Sequence, residues 1–262
     1  MTQKDPQLLV YNNSIYFSFK NFTKQYDVEI SIDGDNDTDL NIITYKVLVS
    51  YTKDMLKPYF LAKVTITDFL LNFKYPDATM QVIALKCREA IEKCIFQVNT
   101  KNEIIDLDNY KEIIEKWQTV KQNIIQEFEG DMVDKYLNLF EKNIENKAIL
   151  LQKIKKNLFI NQYFFPIFDE PYHGFQKKGV EIFSFFNLDY QEEVIIEIEN
   201  QGNFDENGKV IISKQLVKKN DNEELFPIKA YTTKYILNKE LHIDEIEGEF
   251  INQNKKYSYS IR

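Results

Sequence analysis

Near its amino end the chain reads YDVEISI, with Val28, Ile30 and Ile32 alternating against Asp27, Glu29 and Ser31, and the same alternation returns far downstream in EEVIIEIE. A period of two sends successive side chains to opposite faces of an extended strand. Both regions therefore predict sheet that is apolar on one face and wet on the other. Residues 8–75 contain further runs of this kind, LNIITYKVLVSY and YFLAKVTITDFLLNF among them. Residues 180–262 contain six, separated by turn clusters such as NFDENGK and KNDNEE.

Between these blocks the period changes. In residues 77–158, Ile113, Trp117, Val120, Ile124 and Phe128 recur at three or four, the spacing of one helical face, while Glu115, Gln118 and Gln122 point away. Asp108 is the expected cap of that helix and Gly130 its end. A second helix is expected from Asp77 as cap, carrying Met80, Ile83, Cys87, Ile91 and Cys94. A third opens at Asp131 and runs through Tyr136, Phe140, Ile144, Leu151 and Ile154 to Lys153, Lys155 and Lys156, cations suited to the negative end of a helix dipole. IFQVN and EIIDL read as a short strand pair between the first two.

This order predicts an α+β fold: a large curved antiparallel sheet built from the N- and C-terminal strand blocks, with two to three central helices packed on one face. It is read as a single domain over residues 1–262; the alternative divides the chain into 1–158 and 159–262. In ELHIDEIEGEF the apolar positions switch from odd (Leu241, Ile243) to even (Ile246, Phe250), which predicts a β-bulge near Asp244.

Residues 157–172 read NLFINQYFFPIFDEPY. Burying one Phe is worth about 1.5–3 kcal/mol, so most of this run is expected under cover. Pro166 precludes a regular helix through the stretch and biases Phe165 toward extended backbone. An extended chain would be apolar on both sides, with Tyr163, Phe165 and Ile167 on one and Phe164 and Phe168 on the other. Such a segment is the return from helices to sheet, and Tyr163, Phe164, Phe165, Phe168 and Tyr172 are also candidates for lining an apolar groove.

Catalytic and metal signatures are scarce. DGDNDTD at 33–39 has the acids of a calcium loop, but an EF-hand needs Gly at position six and Glu at twelve, where Thr38 and Thr44 stand. DEPYH places Asp169 and Glu170 beside His173, the first residue to test if there were acid–base chemistry. ENGK at 206–209 is turn chemistry, not a phosphate loop. The chain is read as a non-enzyme without cofactor or metal.

Of the 33 basic residues only Arg88 and Arg262 are arginine, a bias that an AT-rich coding genome produces. It leaves little of the planar fork used to read phosphate or guanine. With a net charge of -8, nucleic acid is not an expected partner. Residues 180–262 hold sixteen acids against ten bases. The acidic sheet face, marked by Glu197, Glu199, Glu245 and Glu247, is the candidate surface for another protein, one of basic character. Cys87 and Cys94, seven apart on one predicted helix, would lie about 10 Å from each other, beyond disulfide reach. Reduced thiols, no apolar leader and no membrane-spanning run give a cytoplasmic expectation. The function expected is partner binding of accessory, adaptor or toxin-immunity type; the alternative is a carrier or sensor of an apolar small molecule held between sheet and helices.

Overall fold

The computed structural model describes residues 10–11, 14–15, 20–33, 40–53, 56–168, 176–183, 192–200, 208–217, 228–252 and 255–262. A two-stranded piece, β1 (Val10–Tyr11) and β2 (Ser14–Ile15), precedes three long strands, β3 (Phe22–Asp33), β4 (Leu40–Lys53) and β5 (Phe60–Leu71). Then come α1 (Thr79–Glu89), β6 (Lys93–Val98), β7 (Ile104–Leu107), α2 (Tyr110–Glu127), α3 (Asp131–Ile144), α4 (Lys147–Lys155) and α5 (Leu158–Tyr163). Six strands close the chain: β8 (Gln176–Phe183), β9 (Glu192–Asn200), β10 (Val210–Leu216), β11 (Ile228–Leu237), β12 (Ile243–Asn252) and β13 (Lys255–Ile261).

Eleven of these strands form one curved, open antiparallel sheet in the order β7-β6-β5-β4-β3-β13-β12-β11-β10-β9-β8. Its middle seam is the pair β3–β13, which joins the two strand blocks. Val28 faces Ile261 and Ile30 faces Tyr259, and Asp27 and Arg262 exchange backbone hydrogen bonds of 2.7 and 3.0 Å. Alternation decides the faces. Tyr26, Val28 and Ile30 of β3, Val47 and Val49 of β4 and Tyr231, Tyr235 and Leu237 of β11 are buried on the helical side, while Asp27, Glu29, Lys46 and Lys234 are exposed on the other. The α+β fold and the sharing of one sheet by both strand blocks are as the sequence predicts. β12 carries one more residue than β11 between Ile243 and Glu245, so the bulge falls at Asp244.

The helical layer departs from expectation in several places. There are five helices among the described residues rather than two or three. α1 stops at Glu89, and Cys94 lies in β6, so the two cysteines do not share a helix; both remain free and buried. The alternation Cys94, Phe96, Val98 is the strand signal that a shared three-four spacing hid. Ala78, not Asp77, precedes α1, with no side-chain cap. Asn109, not Asp108, precedes α2, and its side chain is occupied elsewhere: Oδ1 accepts from Ile95 N at 2.8 Å and Nδ2 donates to Lys93 O at 3.1 Å. The third predicted helix is two, because Asn146 Oδ1 accepts from Ala148 N and Ile149 N and starts α4 afresh. α2 itself buries Ile113, Trp117, Val120 and Ile124, as its stripe predicts.

Candidate functional site

The aromatic run begins as a helix rather than an extended strand. Asn157 Oδ1 accepts from Ile160 N at 3.2 Å and starts α5, which ends at Tyr163, three residues before Pro166; the proline restricts Phe165 and leaves the helix alone. Tyr163, Phe164, Phe165, Ile167 and Phe168 are all buried. Tyr163 stands edge-on to Tyr26 with centroids 5.4 Å apart and stacks on Phe159, and Phe164 meets Phe96 edge-on at 5.6 Å. α5 is thus the aromatic pillar between the helices and the centre of the sheet.

Its polar side is wired into both halves of that sheet. Toward β3 and β4, Tyr26 Oη donates to Ile243 O at 2.7 Å, and buried Asn102 accepts from Tyr51 Oη and donates to Tyr163 O at 3.0 Å. Toward β10 and β11, Gln162 accepts from Lys214 Nζ at 3.1 Å and from Tyr235 Oη at 3.1 Å. Lys214 Nζ also donates to Glu181 Oε1 at 3.1 Å and lies 3.9 Å above the centroid of the Phe165 ring. Glu181 Oε2 is 3.0 Å from Nζ but off the hydrogen-bonding direction. Burial lowers the Lys214 pKa, with the neighbouring Glu181 acting against it. Burial likewise raises the phenols of Tyr26 and Tyr231. The Lys214 side chain has no exposed surface. The cluster fixes α5 against the sheet; Lys214 shares the buried face of β10 with Val210 and Ile212, and nothing in the sequence paired it with Glu181 or Gln162.

The acidic candidates lie on the helix-free face. Glu197 and Glu199 of β9 pair in register with Gln215 and Ser213, and Glu197 accepts from Gln215 Nε2 at 3.3 Å. Glu245 and Glu247 of β12 hold Arg262, whose Nε donates to Glu245 at 2.5 Å and whose second nitrogen donates to Glu247. That hydrogen bond keeps the Glu247 carboxyl below the usual range. Tyr172, Asp169, Glu170 and His173 lie outside the described residues, as does most of the DGDNDTD loop. His242 is buried and stacks on Phe22 at 4.0 Å.

Arg262 also borders a groove of about 800 Å³ on the same face, with Asp27, Glu29, Lys46 and Asp68 along it and Phe73 and Tyr75 at its rim. Phe73 is 63% exposed and Tyr75 71%. The rim is built with strain. β5 carries an extra residue where Asp68 has φ of +54°, and Leu71 and Lys74 then exchange backbone hydrogen bonds around a two-residue turn. Both turn residues, Asn72 and Phe73, have positive φ, +50° and +60°. Asn72 anchors the turn to β4, donating to Ile42 O at 2.7 Å and accepting from Ile42 N at 2.8 Å. Asn suits such backbone; a bulky Phe there is an outlier and costs free energy. The sequence ending LLNFKY carried a turn residue but no sign that an aromatic would be held out in water.

Among the described residues no group of three or more His, Cys, Asp or Glu is placed to hold a metal ion, and no helix is long and apolar enough to cross a membrane. Burial raises both thiols, Cys87 and Cys94, to about 12, which keeps them unreactive. No protein-family model matches the chain, and no curated protein is significantly similar to it.

Proposed function

We propose that the protein is a non-enzymatic binding protein that engages another protein through the helix-free face of its sheet. The observation that carries this is Phe73, an exposed aromatic kept at a positive φ beside a charged groove. Backbone strain and solvent-exposed aromatic surface both oppose stability, and a feature that costs twice is retained where it serves contact. Phe73 and Tyr75 are the aromatic anchors of the surface; aromatic side chains are enriched among the few residues that carry binding energy. Glu245 and Glu247, which hold Arg262 at the border of the groove, and Glu197 and Glu199, farther across the same face on β9, steer a partner of basic character. An accessory, adaptor or immunity role in a reducing cytoplasm fits the two thiols left unpaired.

The test is capture of the partner from the native cells by the tagged chain and by a Phe73→Ala/Tyr75→Ala variant, each at low and high salt. The expected result is a stoichiometric protein held by the wild type, released by salt, and weakened by roughly tenfold or more in the variant, the loss of a hot-spot pair. A partner held equally by both proteins would overturn the assignment of the face.

A further inference from the structure

A second cavity, of about 340 Å³, opens between the sheet and the helical layer. Its walls are apolar: Val64 and Ile66 of β5, Ile91, Ile144 of α3, and Leu150 and Ile154 of α4. Two cations stand in it, Arg88 from the end of α1 and Lys153 from α4. Arg88 lies between two aromatic rings, 5.3 Å from the Phe69 centroid and 6.0 Å from that of Tyr45. Its guanidinium forms no hydrogen bond or ion pair with any described residue, in a chain with 41 acidic residues. The carboxylate that shares the cavity, Glu92, is turned to Lys116, with 3.4 Å between Oε2 and Nζ. A second buried polar group lies nearby. Tyr45 Oη sits close to Arg88 and to Asn157, both of which line the cavity, and makes no well-formed hydrogen bond with either. Burial acts on Arg88 itself by lowering its pKa.

A partly desolvated guanidinium with no hydrogen-bonded carboxylate, Glu92 acting on it only through space, is an incomplete arrangement. Its five donors in a rigid fork suit a carboxylate. The volume lies at the low end of the range for small-molecule sites, about 300–1,000 Å³, enough for one short chain and not for a two-chain lipid. We propose that this cavity binds a single-chain amphiphile with a carboxylate head, a medium-chain fatty acid in class, with the chain along the aliphatic wall and the head on Arg88. The Tyr163–Phe168 segment is buried and does not line this cavity, which meets α5 at Ile160.

The probes are decanoate, decanol and decylamine, titrated calorimetrically into the isolated chain below micelle-forming concentrations. Saturable binding of decanoate at one site, roughly tenfold tighter than decanol and decylamine, is expected. Arg88→Gln is expected to bring decanoate down to the level of decanol, and Ile91→Trp, which fills the cavity and leaves Arg88 in place, to abolish binding. Equal affinity for the three probes overturns the proposal, as does absence of binding or decanoate affinity unchanged in Arg88→Gln. If that variant does not fold, the ranking of probes on the wild type decides.

Discussion

Asn102 is fully buried at φ of +66°, and its side chain accepts from Tyr51 Oη and donates to Tyr163 O. It closes the turn between β6 and β7 and at the same time ties α5 to β4. These two duties can be separated by mutation. Asn102→Gly keeps the backbone and loses both hydrogen bonds, those to Tyr51 Oη and Tyr163 O, for an expected cost of about 1–3 kcal/mol. Asn102→Ala adds the left-handed backbone penalty, about 1–2 kcal/mol more. Urea unfolding of the two variants measures the difference, and equal stabilities would show that the positive φ carries no cost. The sequence placed a short strand pair, IFQVN and EIIDL, around Thr100–Asn102. Why asparagine stands between them could not be read there, because the groups it joins lie at positions 51 and 163.

At the scale of elements, the bulge in β12 shows how a local irregularity becomes a contact. The extra residue, Asp244, is held by Lys24 of β3, whose Nζ donates to Oδ1 at 2.5 Å and to Asp244 O at 2.9 Å, and by Lys209 at 3.3 Å. The hydrogen bond from Lys24 lowers the Asp244 pKa beneath its ordinary value. The folded form therefore releases its proton more readily than the unfolded chain does. The stability this adds is complete above the unfolded value, about 3.9, and is lost as pH falls through the lowered one. Denaturant midpoints from neutral pH down to about pH 3 are expected to fall less steeply in Asp244→Asn than in the wild type. Glu141, lowered by Lys121, contributes in the same sense and keeps some slope in the variant. Parallel curves for variant and wild type would remove Asp244 from this account. The bulge was legible as a switch of apolar parity; its lysine partner was not. Helix ends were the weakest reading, since a cap such as Asn146 is chosen by the geometry of its neighbours as much as by residue type.

At the scale of the molecule, the sheet depends on its central seam. β13 is bonded to β12 on one side and to β3 on the other, and among the described residues it is the only strand joining the two blocks. Removal of residues 255–262 is expected to separate two half-sheets and expose the apolar edges of Val28, Ile30, Ile246 and Phe250. Loss of a single cooperative unfolding transition, followed by urea titration with circular dichroism, checks this; a truncated chain that melts in one step at an unchanged midpoint would refute it. The seam spans nearly the whole chain, so folding is expected to be slow for its size, because closure of so long a loop precedes any reward from the contact.

The fold class, the inward and outward faces of most strands, the helical stripe of α2 and the burial of the aromatic run were determined by the sequence alone. Periodicity and transfer free energy are local or additive, and a single chain displays both. The tertiary structure decided the rest: that β3 meets β13, that Lys214 finds Glu181 and Gln162, that Arg88 is left without a hydrogen-bonded acid beside an apolar cavity, and that Phe73 is held out over a groove. Each depends on residues brought together from distant positions, and hydrogen bonds and ion pairs are short-ranged and directional, so their partners are fixed only once the backbone has been placed.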